Sequence, residues 1–425
     1  MKLTSYWQDT ATPAGDHRRT PVPDRVDVAV VGGGLTGTSA AVELRKLGAS
    51  VAVLEQNTIG WGASGRNGGM ATTGLAIGFG TAVKRYGADR AVSMFRTYND
   101  AIDSIEKLVA EHGIDCDFER SGKLTLAYRP SHFEAMVKTR KALEELAEHE
   151  VITVPKKDIH SEIGSDFYHG ATVDPYGAGL HVGKFVHGLA RAAGDLGATI
   201  CENAEVTTLD RNPRGGHTLQ TTRGRVHAGE VLIATSGYTG KVTPWLRRRV
   251  IPVGSFIIVT EPLAQDVVDR ILPHRRQASD SKNLVYYFRI TPDNRLLFGG
   301  RARFAMSSPD SDVRSGQILV KAMTELFPYL AGTRIDYTWG GLVDLSMDQL
   351  VHAGEHDGVH YSVGYSGHGV QMATHMGRQM ARLISGETGA NLWGDVKFPP
   401  VPGHFGRPWF LPLIGGGARV LDAIS

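Results

Sequence analysis

Cysteine is nearly missing from this chain. Only Cys116 and Cys201 occur in 425 residues. They lie far apart, with no CxxC or Cys/His pattern, which excludes a disulfide framework and argues against a structural zinc or other metal site. A reducing, cytoplasmic location is expected. Long apolar runs are missing too: none approaches the roughly 18 residues that a membrane-crossing helix needs, so no transmembrane segment is expected. Residues 1–25 are polar, contain Pro13, Pro21 and Pro23, and lack the apolar core of a secretory signal. No charge sign dominates either. Lysine and arginine total 46 against 44 acidic residues, and Arg247-Arg248-Arg249 is the one basic run of note, so a nucleic-acid partner is not expected. The length favours two interleaved domains or one large α/β domain.

Glycine, by contrast, is abundant, with 52 residues. Val26-Asp27-Val28-Ala29-Val30-Val31 reads as a short buried strand, and Gly32-Gly33-Gly34-Leu35-Thr36-Gly37 follows at once. Ala41, Leu44 and Leu47 then recur at helical spacing, Gly48 closes the helix, and Ser50 to Leu54 opens a second strand that ends in Glu55. This is one βαβ unit. In it Gly32 permits the tight turn, Gly34 lets a pyrophosphate approach the backbone, and Gly37 lets helix and strand pack closely. The helix start offers free N–H groups and partial positive charge to phosphates. Glu55, 18 residues beyond Gly37, suits the ribose of a dinucleotide. At this glycine content about one G-x-G-x-x-G match is expected by chance, and Gly60-Trp61-Gly62-Ala63-Ser64-Gly65 is a second. Only the first has strand, helix, strand and acid around it.

The second match begins an unusual stretch, Gly60 to Met70, with five glycines in eleven residues. A stable helix is disfavoured there, and such a loop suits close approach to a flat ligand. From Gly80 to about Glu148 the pattern is helical, broken at Gly113 and by a strand over Ser121 to Tyr128, with Ser131 expected to cap a further helix. Its composition reads as scaffold. A Gly-rich turn at Val173 to His181 leads into a helix carrying Phe185 and Leu189, with His181 and His187 read as core-edge residues. A hairpin is expected around Asn212 to Gly216. Glu230 to Ile233 then forms an apolar strand running into the small-residue turn Ala234 to Gly237, as a parallel sheet returning to a nucleotide requires.

Val250 to Thr260, Leu284 to Ile290 and Arg295 to Arg301 read as antiparallel strands of a second domain. Tyr286, Tyr287, Arg289, Arg301 and Arg303 are candidates to line its pocket, against the commoner reading of a half-exposed sheet face. Gly358 to Tyr365 is a strand, and Ser366-Gly367-His368-Gly369-Val370 opens a helix whose Met372, Met376 and Met380 read as core. The chain past Gly386 turns Pro-rich, and Trp409, Phe410, Leu411, Leu413 and Ile414 are expected to pack on the body.

These motifs, together with Ser5-Tyr6-Trp7, Phe298-Gly299-Gly300, Trp339-Gly340-Gly341 and Gly406-Arg407-Pro408-Trp409, resemble the D-amino-acid oxidase-like family of FAD-dependent amine oxidases. Within it they resemble the gamma-glutamylputrescine oxidase-like branch. The resemblance covers nearly the whole chain. It implies an α/β fold: a discontinuous Rossmann-like FAD-binding domain at 24–80, 150–240 and 345–395, and an interleaved antiparallel-sheet substrate domain at 81–149 and 241–344. A tail at 396–425 would pack on the body. It also implies FAD at Gly32, Gly34, Leu35, Thr36, Gly37, Glu55 and Gln56, with Thr235 and Gly237 nearby. Ser64, Gly65, Arg66, Asn67, Gly68 and Gly69 would meet the flavin ring, and Gly367, His368, Gly369 and Val370 its pyrimidine edge, where a helix start can stabilise the charge of reduced flavin. The flavin is expected to be non-covalent, since Trp339 to Asp348 lacks the cysteine that tethers it in related sarcosine oxidases.

The chemistry implied is hydride transfer from the carbon beside a neutral amine, polyamine-derived, other ω-amino or N-substituted, to flavin N5, followed by imine hydrolysis. No acid, base or nucleophile is assigned, because the cofactor carries the difficult step. Reoxidation by oxygen would give hydrogen peroxide, and transfer to a non-oxygen acceptor is the alternative. A non-catalytic flavin module and a nicotinamide dehydrogenase are the rival classes. Where amino-acid-oxidising relatives carry a carboxylate-binding arginine after the aromatic-Gly-x turn, this chain has Leu342-Val343-Asp344. Asp344 therefore points away from α-amino acids and toward a polyamine-derived or other ω-amine, unless it only holds a loop.

Overall fold

In the computed structural model, which describes residues 1–300, 307–406, 408–412 and 415, the strand before the first glycine motif runs Arg25–Val31. The helix Leu35–Lys46 and the strand Val51–Leu54 follow, and Gly48 takes the left-handed conformation that ends the helix. Val31 sits opposite Leu54 on one side and Ile233 on the other, both parallel. The sheet continues outward through Thr199–Cys201 beyond Val51–Leu54, and through Val359–Val363 and His352–His356 beyond Gly224–Ile233. Arg25–Val31 is thus flanked on both sides by strands that follow it in the chain. A crevice opens outside the carboxyl ends of such strands, where nucleotides bind.

Two helices bring their N-termini to that crevice. Gly369–Ile384 packs across Leu35–Lys46 so closely that a Cβ on Gly377 would lie 2.2 Å from Ser39 Oγ and 2.3 Å from the Thr36 carbonyl. Glu43, buried, accepts from Arg378 Nε at 3.1 Å and Arg382 Nε at 3.0 Å, locking the pair together. Met372, Met376 and Met380 are buried in this core.

The second sheet runs in the order Ile335–Leu345, Ile251–Thr260, Leu296–Gly300, Tyr286–Ile290, Gln277–Asp280, Lys123–Leu126, Gly170–Asp174, Ile152–Pro155. All pairs are antiparallel except Gln277–Asp280 with Lys123–Leu126. Its last two members fall inside the 150–240 segment expected to belong wholly to the nucleotide domain. We therefore place the boundary after Asp174: a short apolar strand carries no local sign of which sheet it joins. The helix expected to begin at Ser131 instead runs Pro130–Ala147, with Arg129 at the cap and proline at its first position. In the tail, the Phe398 ring stacks on His352 at 3.9 Å and Leu411 is buried, whereas Trp409 is exposed. Arg407, Leu413 and Ile414 lie outside the described residues. No described helix is long and apolar enough to cross a membrane.

Candidate active site

A cavity of about 830 Å³ runs from the carboxyl ends of the parallel strands to the face of the second sheet. Its first end is the glycine turn. Gly32, at φ +113°, leaves 2.6 Å between a would-be Cβ and the Ala234 carbonyl, and Gly37 leaves 1.9 Å to the Gly32 carbonyl. Gly37 therefore shapes the turn from behind, while Gly32, Gly34, Leu35 and Thr36 line the cavity. Ser64 Oγ accepts from the Leu35 amide at 2.9 Å, joining the two glycine loops. Glu55 is buried, accepting from the Gly33 amide at 2.7 Å and the Asn57 amide at 2.8 Å. Burial pushes its carboxyl up. Each oxygen keeps a lone pair for a ribose hydroxyl, with Gln56 and Thr235 beside it on the cavity wall.

The Gly60 to Met70 loop is also held from behind. Its carbonyls at Gly60 and Trp61 accept from Gln8, that of Gly65 from Ser5 Oγ at 2.6 Å, that of Arg66 from the Trp339 indole at 2.9 Å, and that of Asn67 from the Trp7 indole at 2.7 Å. Asn67 Oδ1 takes the Gly69 amide at 2.7 Å. Ser64, Arg66, Asn67 and Gly68 line the cavity, whereas Gly65 and Gly69 face the supporting shell. The short N-terminal helix Tyr6–Thr10 is thus part of the site, although the sequence shows it only as an Ser-Tyr-Trp tripeptide. Arg66 stacks over Trp61 at 4.3 Å, and its Nη1 is buried without a partner among the described residues.

On the opposite wall Gly367, His368, Gly369 and Val370 present the start of Gly369–Ile384 to the cavity. Tyr365, which the sequence reading passed over, joins this wall to the glycine turn: its hydroxyl lies 2.8 Å from Thr36 Oγ1 and 2.9 Å from Ser362 Oγ. Asp344 lines the cavity but its carboxylate is tied to the loop, accepting from the Gly364 amide at 2.8 Å. Burial pushes its carboxyl up to about 6. Gly237 lies just behind, against Leu342.

The second sheet supplies the far end. Strand alternation points Tyr287 into the cavity, its hydroxyl 3.0 Å from Ser255 Oγ and its ring over Gly299 and Gly68. Tyr286 turns to the other face, against Phe298 and the Lys282 ammonium. Arg289 does not line the cavity: it is buried beneath Gly69, donating through Nη1 to the Gly69 carbonyl and, at 3.0 Å, to the Leu180 carbonyl. Burial pulls its guanidinium down to about 10. Arg301 and Arg303 lie outside the described residues. Lys123, Asp280 and Lys282 do line this end. They were missed because single charges on short strands look like a solvated face.

The comparisons agree with this geometry. A family model described as DAO, FAD dependent oxidoreductase, matches residues 27–383. The chain is 33% identical over 399 residues to the gamma-glutamylputrescine oxidoreductase of Escherichia coli K12, covering 92% of this chain and 91% of that protein. It is also 33% identical to the probable oxidoreductase OrdL of Haemophilus influenzae, over 89% and 88% of the two chains. Among solved structures, glycine oxidase from Geobacillus kaustophilus superposes with a TM-score of 0.73 at 21% identity, over 91% of this chain and 99% of that one. L-proline dehydrogenase from P. horikoshii does so at 0.72 and 19%, over 87% and 96%. The chain belongs to the DAO family of FAD-dependent oxidoreductases. Its cofactor is FAD, and it is an enzyme.

The residues present fit that group. A cradle in which a Cβ on Gly34 would stand 2.7 Å from Ser64 Oγ, two helix starts, a buried ribose-type acid and a buried, unpartnered guanidinium nitrogen are what a dinucleotide flavin requires. Neither cysteine lines the cavity.

Proposed function

We propose that this enzyme oxidises an amine of the polyamine-derived or other ω-amino class rather than an α-amino acid, with oxygen as the acceptor. The carrying observation is the wall at Leu342 to Asp344. Among the described residues Arg66 is the only arginine on the cavity, and it stacks on Trp61 by the glycine loop, so the arginine that would pair with an α-carboxylate is missing from this wall. The 33% identity to a gamma-glutamylputrescine oxidoreductase supports the same class.

Bound FAD supplies the hydride acceptor. The chain does the rest. The loop held by Trp7, Trp339 and Ser5 fixes one side of the site, and the helix start at Gly369 offers amides to negative charge that develops opposite it. Tyr287 and Ser255 form a paired polar edge that orients the substrate on the second sheet. The apolar backing of Met70 and Leu75 keeps water scarce and favours an uncharged amine.

The test is a panel of amines mixed anaerobically with the yellow holoenzyme. Loss of flavin colour with ω-amines, and none with glycine or D-alanine, is the expected result. Bleaching by glycine or D-alanine alone would overturn the assignment. Oxygen uptake with stoichiometric hydrogen peroxide on admitting air identifies oxygen as acceptor. Reoxidation only by an added dye or quinone would replace it with a dehydrogenase.

A further inference from the structure

Lys123 has no place in the functions assigned so far. It opens the strand Lys123–Leu126, whose Leu124 and Leu126 enter the core of the second sheet, so alternation turns Lys123 to the opposite face, where it lines the cavity. Its ammonium makes one hydrogen bond, to the Thr73 carbonyl at 3.0 Å. Two donors are left.

The aspartates around this end are occupied. Asp174 Oδ2 takes Thr73 Oγ1 at 2.6 Å and His149 Nε2 at 2.9 Å, and its Oδ1 takes the Tyr176 amide at 3.0 Å, so it acts on Lys123 only through space. Asp280 Oδ1 takes the Tyr286 amide at 2.9 Å and the Lys282 amide at 3.3 Å, and its Oδ2 faces the Lys282 ammonium at 3.6 Å. Among the described residues no carboxylate hydrogen-bonds the Lys123 ammonium, and burial pulls it below the ordinary lysine value. A cation held out of water in this way is stabilised most by an anion that arrives with the ligand.

We propose that Lys123 binds a carboxylate carried by the substrate beyond the carbon that is oxidised, and so selects ω-amines bearing a distal acid over simple alkylamines. Thr73 follows Met70 by three residues, so their Cα atoms lie at most about 11 Å apart, and the Lys123 ammonium is 3.0 Å from the Thr73 carbonyl. Met70 borders Gly68 of the ring-facing loop. One small molecule can therefore touch both. The site differs in kind from an arginine pairing with an α-carboxylate: a single point charge sets charge and reach, and leaves orientation to Tyr287 and Ser255.

The inference rests on the amine reading above, and the experiment separates the two. Holoenzyme is reduced anaerobically with 4-aminobutanoate and 6-aminohexanoate and with their carboxylate-free counterparts, butylamine and hexylamine. A non-reacting carboxylate, pentanoate, is titrated separately by its perturbation of the flavin spectrum. The native chain is expected to favour the amino acids in half-saturating concentration. Lys123→Met should weaken the amino acids and pentanoate by about 10–100-fold while leaving the butylamine and hexylamine values and the limiting reduction rate within a few fold. Lys123→Arg should restore part of the pentanoate affinity, which also covers the case in which Lys123→Met loses flavin. Reduction by all four amines without preference, or equal losses with both kinds in Lys123→Met at full flavin occupancy, would overturn the role of Lys123 alone. No reduction by any amine would overturn the amine reading itself.

Discussion

The Asp344 carboxylate and the Gly364 amide lie 2.8 Å apart, so the last turn of the longest strand in the substrate sheet is fastened to the loop that starts the helix Gly369–Ile384. The Ser366 amide donates to the Asp344 carbonyl at 3.0 Å and completes the clasp. Asp344→Asn puts an amide nitrogen or a weaker acceptor against Gly364. We expect about 1–3 kcal/mol less stability and a weaker grip on flavin, seen as a lower thermal midpoint and more apo-protein. Normal flavin content and stability with a selectively raised dissociation constant for a cationic amine would instead place Asp344 on the substrate.

The glycine turn gives a paired test. Gly34→Val sets a branched side chain against Ser64 Oγ and the phosphate approach, and should yield colourless protein. Gly80→Ala lies in a helix with nothing within 4 Å of the added carbon, and should keep full flavin occupancy with equal or slightly raised stability. A yellow, fully loaded Gly34→Val would contradict the cradle.

Acid stability should carry a histidine signature. Burial, with the Lys184 charge second, pulls His181 down to about 4, while its Nδ1 caps the helix Val182–Asp195 through the Lys184 amide at 3.1 Å. A depressed folded value means the contribution is present above the unfolded pKa of about 6.5 and is lost as pH falls toward 4, at most about 3 kcal/mol. Asp280 and Asp344, raised to about 6 by burial, carry the opposite sign, their stabilisation fading as pH rises through 6. The difference between variant and parent isolates the histidine. His181→Asn keeps a cap and removes the titration, so its urea midpoint should fall less between pH 7 and pH 5. Equal falls would refute this assignment.

Flavin reduction should accelerate with pH. Only the neutral amine can assist loss of hydride, and a free alkylamine titrates near the lysine value of about 10.4 unless the site lowers it. Stopped-flow reduction at saturating amine should rise with pH to a plateau. A flat profile from mildly acidic to alkaline pH would count against amine oxidation.

How much of this could be read from residues alone depends on how local the cause is. Gly32, Gly34, Gly37 and Glu55 were legible because a turn, a close approach and an acid at fixed spacing are one contiguous chemical requirement. The second sheet was legible as strands but not as a partner list, so Ile152–Pro155 and Gly170–Asp174 were put in the wrong layer: hydrogen-bond partners far along the chain leave no local periodicity. Arg289 looked like a pocket residue by type and proves to be a strut under Gly69, which depends on strand facing and on a loop 220 residues away. Tyr365 and the Ser5 and Trp7 contacts were invisible for the same reason, since one hydroxyl or indole has no pattern around it. For Lys123 a signal did exist: in Lys-Leu-Thr-Leu the leucines face the core, which leaves the lysine on the other face.

Action of this FAD enzyme on ω-amines is read out by rapid anaerobic mixing of the purified holoenzyme with 4-aminobutanoate, butylamine, glycine and D-alanine while the flavin absorbance is followed. Bleaching by the ω-amines is expected, with glycine and D-alanine inert. Bleaching by glycine or D-alanine alone, or by a reduced nicotinamide and no amine, would contradict it.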